Sequence, residues 1–518
     1  MEYGILSLIP PLVAIIFALK TKQTLLSLFS GVWVGATMLN AWNPVEGLIK
    51  VFSDFMVPSV SDKGNASLLI LVSLAGGFIY SLKVSGAAES FARIITKKVN
   101  TKKKAQLMTW ACAFLFSYTE PILILGTVMR PITDKVKVAR VKLAYILHSM
   151  GGPLASFSPI SSYGPFIIGL IAPQLVALQL SDNPWSVYLD MFAFNLYGLF
   201  AMLTVSFVVL TGFDIGGMYK AQKRADETGE LIGENDVPMV SDKDEDVLPE
   251  GYHPSLWNFL VPMGLLFIGI FSVIFWTGDI RTNGFVDAFL HADIVTAISV
   301  GFLVGAIGAS IMAIISRLRS FQQTVDDWVK GVKQMMNVPL ILVMVWSIGT
   351  VTSKMGVGAY ITQLIDGFLP ASIVPACIFI IGAVISFATG SSWGVWAILM
   401  PIAIPMAHSL DLSLPLVIGA VISSGLFGNH CSPIADTTVM TATAAACDNI
   451  EHVRTQLPYA LIIAGTTVFG FLIGGMTGQA IPSLIGQAVL IVAVFWILNK
   501  KVKRRIGSHK QVQTLTHN

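Results

Sequence analysis

Charged residues are scarce in this sequence. Asp, Glu, Lys and Arg make up only 12% of its 518 residues and hydrophobic residues 54%, whereas soluble domains carry roughly 25% charged residues. Many segments of about 16 to 24 residues contain no charge, which is long enough to cross the hydrocarbon core of a bilayer. The alternating strands of a membrane barrel are missing. The sequence therefore predicts an all-α polytopic membrane protein.

Cysteine is scarce as well, and the motifs of several enzyme classes are missing. The four cysteines show no paired metal-ligand spacing, so we expect reduced, buried thiols. The sequence has no phosphate-binding loop, no Gly-x-Ser-x-Gly elbow and no His-Glu-x-x-His motif, which argues against nucleotide-driven pumps and hydrolases. We expect no enzyme and no cofactor. The expected partners are membrane lipid and a small ion or solute, without nucleic acid; a homodimer is left open.

The positive charges predict the orientation of the chain, because Lys and Arg gather at the cytoplasmic ends of membrane helices. Lys20 and Lys22 follow the first apolar segment, which places the N-terminus outside, and the basic stretch 500–505 keeps the C-terminus in the cytoplasm. We expect the protein in the cell inner membrane or plasma membrane. The predicted spanning segments are 4–19, 24–40, 66–82, 143–175, 187–211, 257–276, 293–315, 337–353, 413–446, 458–476 and 480–499.

The apolar run 105–129 has basic residues on both flanks. One helix cannot have both ends in the cytoplasm, but a re-entrant hairpin with its tip at "SYTEP", Ser117 to Pro121, can, provided that protein or a wet cavity surrounds it. The next span, 143–175, contains three Gly and three Pro in "SMGGPLASFSPISSYGP". These residues predict an unwound middle, because Pro interrupts a helix.

The second half of the chain repeats this order. Residues 371–409 are a second hairpin candidate around "FATGSS", and 413–446 are a second broken span around "SGLFGNHCSPIAD". The loop after the first hairpin carries five Lys or Arg, whereas the matching loop, 401–415, carries none. Equivalent loops therefore face opposite sides of the membrane. This predicts two inverted repeats, 1–211 and 257–476, as in secondary transporters, with eleven spanning helices and two hairpins.

Three further segments complete the prediction. Residues 212–256 hold eleven of the thirty acidic residues and predict a mobile cytoplasmic linker. Residues 477–518 supply an extra helix and a basic cytoplasmic tail. Helical periodicity at 85–99 and 356–368 predicts helices that lie along the membrane interface.

Ionisable residues deep in apolar sequence are costly, so the few that occur here predict function. We expect Asp436, Glu120 and His430 to couple ions or protons, with His148 as a further titrating neighbour and Na+ bound near Asp436. Broken helices favour such a site because they expose carbonyl oxygens and half-helix ends. The candidate ligands for an ion or substrate at the four tips are Thr119, Ser158, Ser161, Ser162, Thr389, Ser391, Ser392, Asn429, Ser432 and Thr437. Helix capping is the alternative role of these polar groups.

Several motifs resemble those of the NhaC-type sodium/proton antiporter family. "GNHCSPIADTTVMTATAAACDNIEHVRTQLPYAL", 428–461, resembles the C-terminal signature of that family, and "FATGSSWGVWAILMPIAIP", 387–405, resembles its second hairpin. "LGTVMRPITDKVKVARVKLAYIL" and "SPISSYGPFIIGLI" resemble its first half. The resemblance implies a secondary transporter of the ion-transporter superfamily, whose members move substrate by an elevator motion, and carries over Asp436, Ser432, His430 and Thr437.

The sequence departs from the pattern of that family at three places. Asn429 and His148 stand where the family carries Asp, and the first tip has the single Glu120 where the family carries a pair of acidic residues. Each missing carboxylate could have held a proton or a sodium ion. Two hypotheses therefore follow from the sequence. The first is sodium/proton antiport, and the second is sodium-driven transport of an amino acid or small carboxylate.

Overall fold

The computed structural model describes residues 3–21, 23–87, 90, 99–115, 121–159, 161–239, 255–282, 284, 292–357, 360 and 370–515. Every regular element among these residues is a helix. Ten of the helices are long and apolar enough to cross a membrane, or eleven if the bent pair Thr24–Leu39 and Pro44–Ser61 counts as one span. The prediction of an all-α polytopic membrane protein is therefore confirmed.

The described residues of the first half of the chain form twelve α-helices. They are α1 (Ile9–Thr21), α2 (Thr24–Leu39), α3 (Pro44–Lys50), α4 (Val57–Ser61), α5 (Lys63–Val84), α6 (Lys102–Leu115), α7 (Pro121–Lys135), α8 (Arg140–Ser156), α9 (Tyr163–Ala177), α10 (Pro184–Asp190), α11 (Leu196–Thr211) and α12 (Gly216–Glu227). Short 3-10 helices precede α1 and α11, and a π-helix, Val51–Met56, joins α3 to α4.

Ten α-helices follow among the described residues of the second half. They are α13 (Trp257–Thr277), α14 (Ile294–Ile315), α15 (Phe321–Gln334), α16 (Asn337–Lys354), α17 (Val374–Thr389), α18 (Ser392–Ser409), α19 (Leu414–Cys431), α20 (Asp436–Ala445), α21 (Asn449–Thr477) and α22 (Ala480–Leu515). The sequence did not predict α15. Its Ser320 and Gln323 form a capping box, a reciprocal pair of hydrogen bonds that starts a helix.

Corresponding parts of the two halves show the same order of elements. A pair of helices, α6 with α7 or α17 with α18, precedes an interrupted helix, α8 with α9 or α19 with α20. The turn of the second pair is short because Gly390 adopts a left-handed conformation, φ +72°, and Ser391 caps α18. The tip of the first pair, residues 116–120, lies outside the described residues, as do most of 85–99 and 356–368. The inverted orientation of the repeats stays a prediction.

The segment after α11 differs from the mobile linker that its acidity predicts. Residues Gly216–Glu227 form α12, whose Met218 and Ala225 are buried because the helix is amphipathic and packs on α8 and α21. Further along, the backbone N–H of Met239 donates to the carbonyl of Cys447, 3.2 Å away. The first part of this segment is therefore packed against the helices; residues 240–254 are outside the described part of the chain.

The helices pack in two groups. One group contains α1, α2, α5 and α13 to α16; the other contains α6 to α8, α11, α12 and α19 to α22. Helices α9, α17 and α18 contact members of both groups. Polar side chains collect in the second group, where α8, α11, α19, α20 and α21 surround one buried cluster.

Candidate functional site

Three histidines from three helices meet in the centre of the second group. His148 lies on α8, His430 near the end of α19 and His452 in the first turn of α21, and all three are at most 2% exposed. The ring centroid of His148 is 5.0 Å from that of His430 and 5.3 Å from that of His452. A buried polar side chain needs hydrogen-bond partners, and each ring is held by neighbours on other helices.

The hydrogen-bond direction around His148 follows from one fixed donor. The side-chain nitrogen of Gln456 faces the carbonyl oxygen of His430, which can only accept. The same nitrogen is 3.1 Å from Nδ1 of His148. Nδ1 of His148 therefore accepts, and in the neutral ring the hydrogen sits on Nε2.

The chain of hydrogen bonds continues from His148 toward the break in the second interrupted helix. Nε2 of His148 is 3.1 Å from Oγ1 of Thr437, to which it donates. The hydroxyl of Thr437 in turn donates to Oδ1 of Asn429 over 2.6 Å. Three residues predicted from the sequence, His148, Asn429 and Thr437, are thus joined in a single directional chain.

His430 is bound on both ring nitrogens. Its Nε2 lies 2.9 Å from Oγ of Ser149, and its Nδ1 lies 2.7 Å from the hydroxyl of Tyr197 on α11. Hydroxyl groups can donate or accept, so both contacts can adapt to either form of the ring. His430 therefore ties α8 and α11 to the end of α19.

Asp436 opens α20 immediately after the break. Its Oδ1 accepts from the backbone N–H of Thr437 over 2.7 Å, as expected for a carboxylate at a helix N-terminus. The side chain is exposed, so a cation can reach it. In contrast, Oγ of Ser432 is buried and has no hydrogen-bond partner among the described residues. The break thus offers an accessible carboxylate and an uncommitted hydroxyl four residues apart.

The tip of the second helix pair touches this break through its backbone. A Cβ on Gly390 would lie 2.9 Å from the backbone nitrogen of Ala435, so only a glycine fits the contact. The hydroxyls predicted as ligands at the tip bind the backbone of helices instead. Thr389 donates to the carbonyl of Ile385, Ser391 accepts from Gly394 N–H and Ser392 donates to the carbonyl of Gly425. The capping alternative therefore describes the contact of Ser391, whereas Thr389 bonds within its own helix and Ser392 bonds to α19. The role of all three as ligands stays a prediction.

Three of the other predicted hydroxyl ligands are serines at the break between α8 and α9. The single O–H of Ser161 lies within reach of the carbonyls of Ala155 and Ser158, and its Oγ accepts from the N–H of Tyr163, so it holds the end of α8 to the start of α9. Ser158 is half-buried and Ser162 is buried. The hydroxyls of this break do not join the histidine cluster in the described hydrogen bonds.

Two predicted residues, Thr119 and Glu120, lie outside the described residues, so their roles stay predictions. Sequence reasoning missed His452, Gln456, Ser149 and Tyr197. A signal for the first two was present, because positions 452 and 456 are four apart and share one face of a helix.

Below the histidines, α8 carries a buried ion pair. Nζ of Lys142 is 2.7 Å from Oδ2 of Asp214, and both side chains are nearly inaccessible. Between this pair and the histidines, Tyr145 stacks on Tyr459 with ring centroids 4.7 Å apart. His148 lies six positions after Lys142 on this helix, about 9 Å along the axis. The ion pair neutralises itself, so the histidine cluster has no net charge from this side.

The fold and the site together define a multi-pass membrane transporter of the secondary type and not an enzyme. The Na+/H+ antiporter family matches the chain over residues 154–476, more than half its length. The chain belongs to the Na+/H+ antiporter family, which confirms the resemblance seen in the motifs.

The chain is also similar to named relatives and to a solved structure. An uncharacterised protein of Haemophilus influenzae is 30% identical over 511 residues, 96% of this chain and 95% of the relative. The malate-2H(+)/Na(+)-lactate antiporter of Bacillus subtilis is 32% identical over 164 residues, 30% of this chain and 34% of the relative. The YdaH transporter of Alcanivorax borkumensis, whose topology is described as unusual, has a TM-score of 0.58 at 14% identity and covers 88% of this chain and 90% of its own. That structural similarity shows the fold alone.

Proposed function

We propose that this chain is a sodium/proton antiporter. The observation that carries the proposal is that Thr437 connects a carboxylate to a buried imidazole: its backbone N–H donates to Asp436, and its hydroxyl accepts from His148. A carboxylate can hold Na+, and an imidazole can gain or lose a proton in the physiological range. Two such groups that bind the same residue, Thr437, can sense each other's occupancy, which exchange of the two ions requires.

The break between α19 and α20 supports the sodium site. Hard cations prefer oxygen ligands, and this break offers the carboxylate of Asp436 and the hydroxyl of Ser432, which has no partner among the described residues. The amide oxygen of Asn429 lies on the other side of Thr437. Sodium is here the transported substrate, not a resident metal.

The orientation belongs to the same proposal. With the basic loops in the cytoplasm, the N-terminus is outside, the C-terminus is inside and the two halves are inverted repeats in the inner or plasma membrane. The helix pairs α6 with α7 and α17 with α18 are then re-entrant hairpins that enter from opposite sides.

A sodium pulse on proteoliposomes tests the proposal. Purified protein is reconstituted with a pH-sensitive dye inside, and external NaCl is added without any organic solute. We expect alkalinisation of the lumen, because protons leave in exchange for the Na+ that enters, whichever way the protein is inserted. The change should depend on Na+ and be absent with KCl and in protein-free liposomes. Lack of any sodium-linked proton movement by protein that still binds 22Na+ would overturn the proposal.

A second candidate is sodium-linked exchange of an organic anion. The cluster presents neutral amide, hydroxyl and imidazole groups from Gln456, Ser149 and His430, which suit the oxygens of a small carboxylate better than a pair of carboxylates would. The Bacillus subtilis relative named for malate, lactate, protons and sodium supports this candidate. Uptake of labelled malate or lactate by the same proteoliposomes, with proton movement only when that solute is present, would favour it over simple antiport.

A further inference from the structure

A long apolar groove lies between α11 and α22, at the surface of the second group of helices. Its volume is about 750 Å³, which is typical of a site for a small molecule. One wall extends along α11 from Phe200 to Thr211, and the other extends along α22 from Ala488 to Trp496. Leu203 and Val492, one on each wall, are more than half exposed. The groove therefore opens sideways, toward the lipid of the bilayer.

Aromatic side chains mark the end of the groove that lies at the membrane boundary. The ring centroids of Phe207 and Phe495 are 5.6 Å apart, and Phe213 is 6.1 Å from Phe495. Phe213 follows the last residue of α11 by two positions, so these rings lie where that helix ends. Trp496 is 62% exposed beside them, and tryptophan is enriched at the boundary between membrane and water. The opposite end of the groove, near Phe200, lies deeper in the membrane.

The length of the groove matches one leaflet of a bilayer. Phe200 and Thr211 are eleven positions apart, which is about 16 Å along a helix axis. Half of a hydrocarbon core of about 30 Å is about 15 Å. The groove thus extends from the membrane boundary to about the middle of the bilayer. A molecule with a polar end at the surface and an apolar chain one leaflet long fits this shape.

Positive charge follows the groove at its boundary end. Helix α22 continues past Trp496, and Lys500 comes four positions later, about 6 Å along the axis. Residues 500–505 contain five Lys or Arg in six positions. Basic clusters directly beside a membrane helix attract the headgroups of anionic lipids. The sequence of α22 therefore places positive charge where the polar end of such a molecule would lie.

We infer that this groove binds one acyl chain of an anionic phospholipid, with its phosphate beside the basic residues of 500–505. In the proposed orientation the lipid belongs to the cytoplasmic leaflet. Its chain fills the space beside α11, the helix whose Tyr197 binds His430. The inference does not depend on which ion or solute is transported, because lipid binding is measured without either.

Native mass spectrometry of the purified protein tests the headgroup. Dioleoyl-phosphatidylglycerol is anionic and dioleoyl-phosphatidylcholine is zwitterionic, and the two have the same chains. We expect one phosphatidylglycerol to bind at a concentration at least about tenfold lower than phosphatidylcholine requires. Phosphatidylglycerol should also raise the apparent melting temperature, since a ligand that binds the folded state stabilises it. Equal binding of the two lipids would overturn the inference.

A pair of substitutions on α22 tests the groove itself. Ala488→Phe places a ring in the deep part of the groove, so the acyl chain loses its position there. We expect the affinity for phosphatidylglycerol to fall by about tenfold, the equivalent of about two buried CH2 groups. Val489→Phe is the matched control, because Val489 is the next residue and is 65% exposed. It should bind phosphatidylglycerol within about twofold of the wild type. Equal affinities in the two variants would contradict binding in the groove.

A second pair of substitutions tests the charge without altering the groove. Lys500→Gln removes one positive charge near the boundary end, so the affinity for phosphatidylglycerol should fall by about fivefold and that for phosphatidylcholine should stay the same. Lys510→Gln is the control, since Lys510 lies ten positions further along the same helix. The same loss in both variants would mean that the tail attracts anionic lipid without a specific site, which would overturn the inference.

Thr204 tests the chemistry of the occupant in the deep part of the groove. Its Oγ1 is buried and has no hydrogen-bond partner among the described residues. Thr204→Val removes this hydroxyl and keeps a similar shape. Phosphatidylglycerol should bind within about twofold of the wild type, because an acyl chain has no group that could accept or donate a hydrogen bond there. A fall of more than about fivefold would mean that the occupant carries a polar group at this depth and is not an acyl chain.

The mass spectra also distinguish a second copy of the chain as the occupant. A lipid in the groove leaves the oligomeric state of Ala488→Phe equal to that of the wild type. A dimer that is present in the wild type and in Val489→Phe but lost in Ala488→Phe would show that the groove is an interface between copies, and it would overturn the lipid site. Failure of sodium-linked proton movement would reject the proposed antiport and leave these binding results unchanged.

Discussion

The break between α8 and α9 and the break between α19 and α20 occupy corresponding places in the two halves, yet they use their polar groups differently. In the first, Ser161 satisfies the backbone of both half-helices, and Asn195 donates to the hydroxyl of Ser156. In the second, Asp436 is accessible and Ser432 has no partner in the described structure. A hydroxyl that already makes hydrogen bonds within the protein gains little free energy when it binds an ion. A hydroxyl without a partner gains an interaction that it otherwise lacks.

The difference indicates that the two interrupted helices have different roles in the site. The first interrupted helix supplies a shaped wall and the residues His148 and Ser149, while the second supplies the groups that can hold a cation. Repeats of the same fold need not keep the same chemistry, because backbone breaks need capping in any case. Substitutions at equivalent places should therefore give unequal effects.

The largest difference is expected at Asp436. Asp436→Asn keeps the shape and the acceptor for the N–H of Thr437, but removes the charge that would bind Na+. We expect sodium affinity, measured by 22Na+ binding to purified protein, to fall by about a hundredfold, since a contact to a charged group is worth about 1.5–3 kcal/mol. Because the side chain is exposed, folding and membrane insertion should be unchanged. Wild-type sodium affinity in this variant would remove Asp436 from the site.

Much of this arrangement could be predicted from the sequence. Long uncharged segments and Gly- and Pro-rich interruptions gave the helices and the breaks, and the polar residues of 428–438 pointed to the second break. The pairing of His148 with Thr437 was not predictable, because residues almost three hundred positions apart meet only through tertiary packing. The contacts of Ser161 and Thr389 are local in sequence, and they were not predictable for a different reason. A serine or threonine at a break is equally suited to helix capping and to ion ligation. The groups that surround it in the fold determine which of the two roles it has.

The packed start of the segment after α11 was missed for a related reason. Its acidic composition suggested a mobile chain, but Met218, Ala221 and Ala225 recur at helical spacing and form an apolar face. Composition averaged over the whole segment hid that local pattern.

A smaller effect is expected where the tip of the second helix pair meets the break. Gly390 has φ +72°, and an added Cβ would lie 2.9 Å from the backbone nitrogen of Ala435. Gly390→Ala should therefore push the tip away from the break and lower the sodium transport rate by about tenfold, at a cost of about 1–3 kcal/mol in strain. Gly152→Ala is the control, since its Cβ would lie no closer than 3.8 Å to Asn429. Equal rates in the two variants would show that the tip does not shape the break.

Serine-to-alanine substitutions at the two breaks should have opposite effects on thermal stability and on sodium affinity. Ser432→Ala removes a hydroxyl without a partner among the described residues, so the apparent melting temperature should stay the same while sodium affinity falls by about fivefold, the value of one neutral ligand. Ser161→Ala removes several hydrogen bonds, so the melting temperature should fall by about 1–3 °C with sodium affinity unchanged. The reverse pattern would mean that the first break binds the cation.

The smallest effect is expected at Ser162, the residue next to the most heavily bonded hydroxyl of the first break. Its sequence position made it a candidate ligand, and it is buried. In the described structure, the capping contacts of this break run through Ser161, and those that reach α11 run through Ser156. Ser162→Ala should therefore leave both 22Na+ affinity and the melting temperature within about twofold and about 1 °C of the wild type, as is usual for a substitution away from a functional contact. A loss of sodium affinity as large as that of Ser432→Ala would show that the two breaks contribute ligands symmetrically, and the division of labour between the halves would no longer hold.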